Sequence, residues 1–181
     1  SDVCSSRSDV TLTGGSGRAT IDSPAAINVE GMQRAFVNLV TETIFYENKQ
    51  HLTEKIFKPI VAKMPFLLLA GAGCLSYLRS YGFKTFGDFW DESYDDITNS
   101  ADRFSAVLAI LEDLCNKPRE ELVQMKLAMA EILEYNFNHF YTTMRPIVVD
   151  EFTTKLGAAL TKSGIEYNTD DLDNLNRILT Y

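Results

Sequence analysis

Cysteine and histidine are scarce in this chain of 181 residues, which carries three of the first and two of the second. Cys4, Cys74 and Cys115 lie far apart, with neither zinc-site nor disulfide-framework spacing, and they read as reduced thiols. Cys74 falls at an expected turn-to-helix junction with only His51 and His139 as possible partner bases, so it reads as a small buried residue rather than a nucleophile. His139 has no companion at metal-ligand spacing and reads as structural or exposed. Basic side chains are also short: 17 Lys and Arg stand against 25 Asp and Glu, a net charge of −8, which opposes general binding to nucleic acid. No apolar run approaches the roughly 18 residues of a membrane span. The amino end is polar and has no apolar leader core, so a cytoplasmic setting is expected. Nothing repeats internally. Gly14 to Gly17 lacks the following Lys and Ser/Thr of a phosphate loop.

What is present fits one well-buried core: 45% of residues are apolar, and two complete Rossmann domains do not fit the length. Residues 1–31 are rich in Ser, Asp, Thr and Gly and read as a flexible segment, with Val10 to Thr13 the only stretch that alternates like an edge strand. Residues 32–181 form the folded part. Ala35 to Ile44 combines β-branched and aromatic residues and reads as a strand. Thr53 is a natural helix N-cap, Glu54 suits the first turn, and Ile56, Ile60 and Met64 follow at helical spacing. Pro59 inside that helix predicts a kink or an early break. The apolar run Phe66 to Ala70 reads as a central parallel strand, and Gly71 and Gly73 as either a tight turn or a close backbone approach to a bound group.

A short helix closed by Gly82 follows. Asp88, Asp91, Glu92, Asp95 and Asp96 fit no calcium loop and read as a solvated acidic loop anchored by Phe86, Phe89 and Trp90. Phe104, Val107, Leu108, Leu111 and Leu114 mark the core face of the next helix, capped by Asn99 or Ser100. One helix is expected over Glu120 to Tyr141, a break at Arg145-Pro146, a helix running to Gly164, and a short capped helix near the carboxyl end. The expected fold class is α/β, a small parallel Rossmann-like sheet with a helical carboxyl-terminal pack.

In such sheets ligands collect at the carboxyl ends of the strands. Between Lys49 and Lys63 four lysines stand against Glu54 alone. They are either the solvated face of an amphipathic helix or an anion site at a helix N-terminus. Glu42 and Glu47 flank the end of the first strand, where either carboxylate could face a ribose hydroxyl.

The order Phe45, Tyr46, Glu47, Asn48, then Thr53-Glu54-Lys55, an amphipathic helix and a Pro-led apolar strand resembles the donor-binding segment of the α1,3-fucosyltransferases. It is also similar to the related segment of bacterial and phage glycosyltransferases of the GT-B class. The resemblance runs from Thr41 to Phe86, about a quarter of the chain. His51-Leu52 stands where those enzymes commonly place a Tyr two residues before the Thr. The resemblance implies one half of a GT-B architecture that binds a nucleotide sugar, with a GDP-linked donor one option and no bound metal or cofactor. It implies Glu54 and Lys55 on ribose and phosphates and Asn48 close to the same nucleotide. Thr53, Lys58 and Glu47 complete the candidate donor site. In the family the catalytic base lies in the acceptor-binding half, so this chain is expected to need such a domain or a second subunit to turn over substrate. The competing expectation is a non-enzymatic α/β and helical module that binds a partner protein through its carboxyl-terminal helices.

Overall fold

A computed structural model describes residues 27–46 and 49–180. The Val10 to Thr13 alternation, the glycine run after it, Glu47 and Asn48 lie outside the described residues. The architecture is mixed α/β but mostly helical: among the described residues there are two strands, β1 (Asn38–Thr41) and β2 (Phe66–Leu69), and eight α-helices. The helices are α1 (Val29–Gln33), α2 (Glu54–Val61), α3 (Cys74–Ser80), α4 (Ser100–Asn116), α5 (Arg119–Ala128), α6 (Ala130–His139), α7 (Arg145–Lys162) and α8 (Thr169–Thr180). Helix α1 begins inside the segment expected to be flexible. The Asn28 side chain accepts from the Gly31 amide and starts it, a local capping signal in an otherwise polar stretch.

The two strands pair in parallel, Asn38 with Phe66 through Thr41 with Leu69, and α2 is the crossover between them. Every residue of β2 is buried, as a strand covered on both faces should be, whereas Leu39 of β1 is exposed. Thr53 caps α2 and accepts from the Lys55 amide. The helix stops at Val61, two residues beyond Pro59, and Met64 N–H donates back to Pro59 O at 2.8 Å. Ile56 and Ile60 from α2 meet Leu67, Leu75, Leu78 and Phe86 in the core.

Beyond the sheet the helices build most of the molecule. The stretch expected as one helix over Glu120 to Tyr141 is divided at the fully buried Met129 into α5 and α6. The break expected at Arg145-Pro146 is absent. Instead Phe140–Met144 widens into a π-helical turn that joins α6 to α7, with Pro146 in the first turn of α7. Widening the coil just ahead of the proline accommodates its ring and its missing N–H without ending the helix. Two buried polar residues of α6 lock the loop that follows α3. Asn136 accepts from Lys84 N–H at 2.8 Å and donates to Lys84 O at 2.9 Å, and His139 Nε2 lies 2.6 Å from Tyr81 O. His139 is therefore structural. No helix among the described residues is long and apolar enough to cross a membrane.

Candidate functional site

The carboxyl end of β1 is tied to the amino end of α2 by one buried carboxylate. Glu42 accepts from the Thr53 amide at 3.0 Å and from the Thr53 hydroxyl at 2.7 Å. This fixes where the crossover helix starts and neutralises part of the positive end of its dipole. Beside it Lys55 Nζ donates to Thr43 Oγ1 at 2.9 Å.

The carboxyl end of β2 is held from the other side. Arg103 of α4 is 1% exposed and donates to Ala70 O at 2.8 Å, to Ile97 O and Phe45 O at 2.5 Å each, and to Thr98 O at 3.3 Å. Its guanidinium also stacks 4.7 Å from the Phe45 ring. Burial lowers the Arg103 pKa, yet a guanidinium stays charged in proteins, and the carbonyls supply the solvation that water would. Arg103 thereby knots together the loop after β1, the end of β2 and the start of α4.

Between these anchors opens a cleft of about 490 Å³ at the carboxyl ends of the two strands, a size ordinary for small-molecule sites. It is lined by Thr41, Glu42 and Leu69 at the strand ends, by Thr43, Phe45 and Tyr46 from the loop after β1, and by Ser100, Ala101 and Phe104 from the start of α4. A second hollow of about 210 Å³ lies beside β1, lined by Met32, Asn38, Leu39, Val40, Thr41, Lys55, Lys58 and Pro59. It contains a buried donor, Asn38 Nδ2, that meets no acceptor. The two lysines give this hollow a positive lining suited to an anion.

Of the residues expected to bind a donor, Thr53 and Lys55 meet at the α2 amino end, and Lys58 joins Lys55 at the smaller hollow. Glu54 is exposed and lines neither hollow. Glu47 and Asn48 lie outside the described residues. The aromatic wall and Arg103 were not among the expected site residues. Phe104 was expected in the core, but α4 is rotated so that Arg103, Val107 and Leu114 are buried and Phe104 is 43% exposed. The 3–4 spacing of 103, 107, 110 and 114 was a readable signal, obscured because its first member is charged.

Two other clusters have structural roles. The acids after Gly82 are not simply solvated: Asp95 is buried, and its oxygens accept from the Leu75 and Ser76 amides at 2.8 and 2.9 Å, capping α3 from a distance. Glu92 accepts from the Phe86 amide and the Thr85 hydroxyl at 2.8 and 2.6 Å. No group of three His, Cys, Asp or Glu that could hold a metal occurs among the described residues. Gly73 has φ +78 and donates its N–H to Asp95 O at 2.7 Å, so its freedom is used for the turn into α3. Cys74 is a free buried thiol beside the His51 carbonyl rather than its ring, and burial raises its pKa, the reverse of an activated nucleophile. Cys115 is disulfide-bonded, which corrects the expectation of three reduced thiols; sequence spacing alone says nothing about which sulfurs meet in space.

No protein-family model matches the sequence, and neither a curated protein nor a solved structure is similar to the chain.

Proposed function

We propose that this chain is the nucleotide-sugar-binding portion of a glycosyltransferase, its β1–α2–β2 unit belonging to a Rossmann-like half of GT-B type. The observation that carries the reading is the position of Lys55: on the first turn of the crossover helix of a parallel unit, bonded to Thr43 on the rim of the strand-end cleft. A diphosphate leaving that cleft meets an ammonium at Lys55 and a second at Lys58. Cations set where leaving-group charge develops are the natural electrostatic help for transfer of a glycosyl group. The resemblance of Glu47-Asn48 and Thr53-Glu54-Lys55 to the donor segment of the fucosyltransferases adds the substrate class, with Glu54 and Asn48 directed at ribose or base. It also implies a donor site without a bound metal. The catalytic base would come from an acceptor-binding domain or second subunit.

The test is thermal unfolding with and without millimolar GDP, UDP and ADP. One nucleotide raises the midpoint; a ligand at a hundred times its Kd stabilises by about 2.7 kcal/mol. Lys55→Ala removes the rise. A partner-binding module is the competing reading, favoured by exposed Leu127, Phe152 and Ile178 on the carboxyl-terminal helices. Absence of any nucleotide shift supports it.

A further inference from the structure

We propose that the strand-end cleft takes the nucleobase of the donor and not its diphosphate, with Phe104 and Tyr46 as the stacking surfaces. The assignment rests on the donor-binding reading and adds to it a division of labour between two neighbouring hollows.

Charge gives the first reason. Among the described residues, Glu42 is the only ionisable carboxylate lining the cleft, both its oxygens are committed to Thr53, and no lysine or arginine lines the space. A diphosphate placed deep in the cleft would face a buried negative charge, with the Lys55 ammonium only at the rim beside Thr43. Arg103 lies behind the wall, but four of its five N–H groups go to the carbonyls of Phe45, Ala70, Ile97 and Thr98. Lys55 and Lys58 stand instead around the smaller hollow. An uncharged ring therefore fits the cleft, and an anion fits its neighbour.

The second reason is the shape and chemistry of the walls. Phe104 of α4, 43% exposed, and Tyr46, 83% exposed, both line the cleft. Phe45 beneath Tyr46 is held by the Arg103 guanidinium at 4.7 Å and by an edge-on contact with Tyr46 at 5.3 Å, so this wall is braced. Two exposed aromatic rings lining one cleft suit a planar heterocycle, and the hydroxyls of Thr41, Thr43 and Ser100 can both donate to and accept from its edge. Thr43 also receives the Lys55 hydrogen bond, so a phosphate chain leaving the cleft on that side meets the ammonium directly.

The experiment measures the Kd of GDP, UDP and ADP for the full chain by calorimetry, then follows the tightest of them on Phe104→Ala, Phe104→Trp and Lys55→Ala at low and high salt. Because Phe104 packs partly against solvent, its replacement leaves the far-ultraviolet circular dichroism unchanged. Base–aromatic stacking is worth about 1–3 kcal/mol per base, so Phe104→Ala weakens binding by roughly tenfold or more, equally at both salt concentrations. Phe104→Trp restores most of the loss. Lys55→Ala also weakens binding, but its effect shrinks at high salt because an ammonium–phosphate contact is screened. If Phe104→Ala leaves the affinity within about twofold while Lys55→Ala abolishes it, the base sits elsewhere and the donor-binding reading stands. If none of the three nucleotides binds the unaltered chain, both are overturned.

Discussion

Removing the Glu42–Thr53 link should loosen the joint between β1 and α2 by an amount that a double-mutant cycle can read. Glu42 is 5% exposed, and its two oxygens accept one bond from the Thr53 amide and one from the Thr53 hydroxyl at 3.0 and 2.7 Å. Thr53→Ala keeps the amide bond but strips the second oxygen of its partner in a site with little access to water. A hydrogen bond to a charged group contributes about 1.5–3 kcal/mol, and loss of an N-cap costs about 1, so a total of about 2.5–4 kcal/mol is expected. Glu42→Ala removes both bonds together with the buried charge and costs about the same, since the Thr53 groups it leaves behind are only half-buried. The double variant should lose less than the sum, with a coupling of about 1–2 kcal/mol. Urea unfolding followed by circular dichroism gives these values, provided the slope against denaturant is unchanged. Additivity to within about 0.5 kcal/mol would mean that Glu42 and Thr53 do not share a bond, and the account of how the cleft is built would fail.

Asn136→Ala deprives both the amide and the carbonyl of Lys84 of their partners and is expected to cost about 2–4 kcal/mol, with faster hydrogen exchange at the Lys84 amide as the local sign. Gly82 and Gly164 have φ of +88 and +67, but a Cβ on Gly82 would sit 2.8 Å from the His139 ring, whereas one on Gly164 meets nothing within 4 Å. Gly164→Ala should therefore cost only about 1 kcal/mol of backbone strain, and Gly82→Ala clearly more, in the same urea assay. Desolvation raises the pKa of the buried Tyr94 hydroxyl above its ordinary value of 10.0. A raised folded-state pKa means that its contribution to stability is intact below the ordinary value of 10.0 and is lost as pH climbs from there through the folded-state pKa, so Tyr94→Phe should flatten the alkaline fall of the unfolding midpoint.

Much of the local structure was written in the chain. Thr53 and Asn99 announce their helices because each side chain satisfies an amide that the first turn leaves bare, and the uninterrupted apolar run Phe66 to Leu69 could only be a covered strand. Lys55 and Lys58 were legible as neighbours because a helix sets residues three apart on one side. What the sequence could not determine was which polar side chains would be spent inside. Asp95 read as part of a solvated loop and Arg103 carried no signal, yet both, like Asn136, are buried because loops distant in sequence bring bare carbonyls and amides to them. Burying Arg103 rotates α4 and pushes Phe104 out to the cleft, so the aromatic wall follows from a tertiary contact that hydrophobic periodicity does not record. Periodicity reports the average apolar side of a helix; hydrogen-bond satisfaction across the fold chose the side that this helix buries.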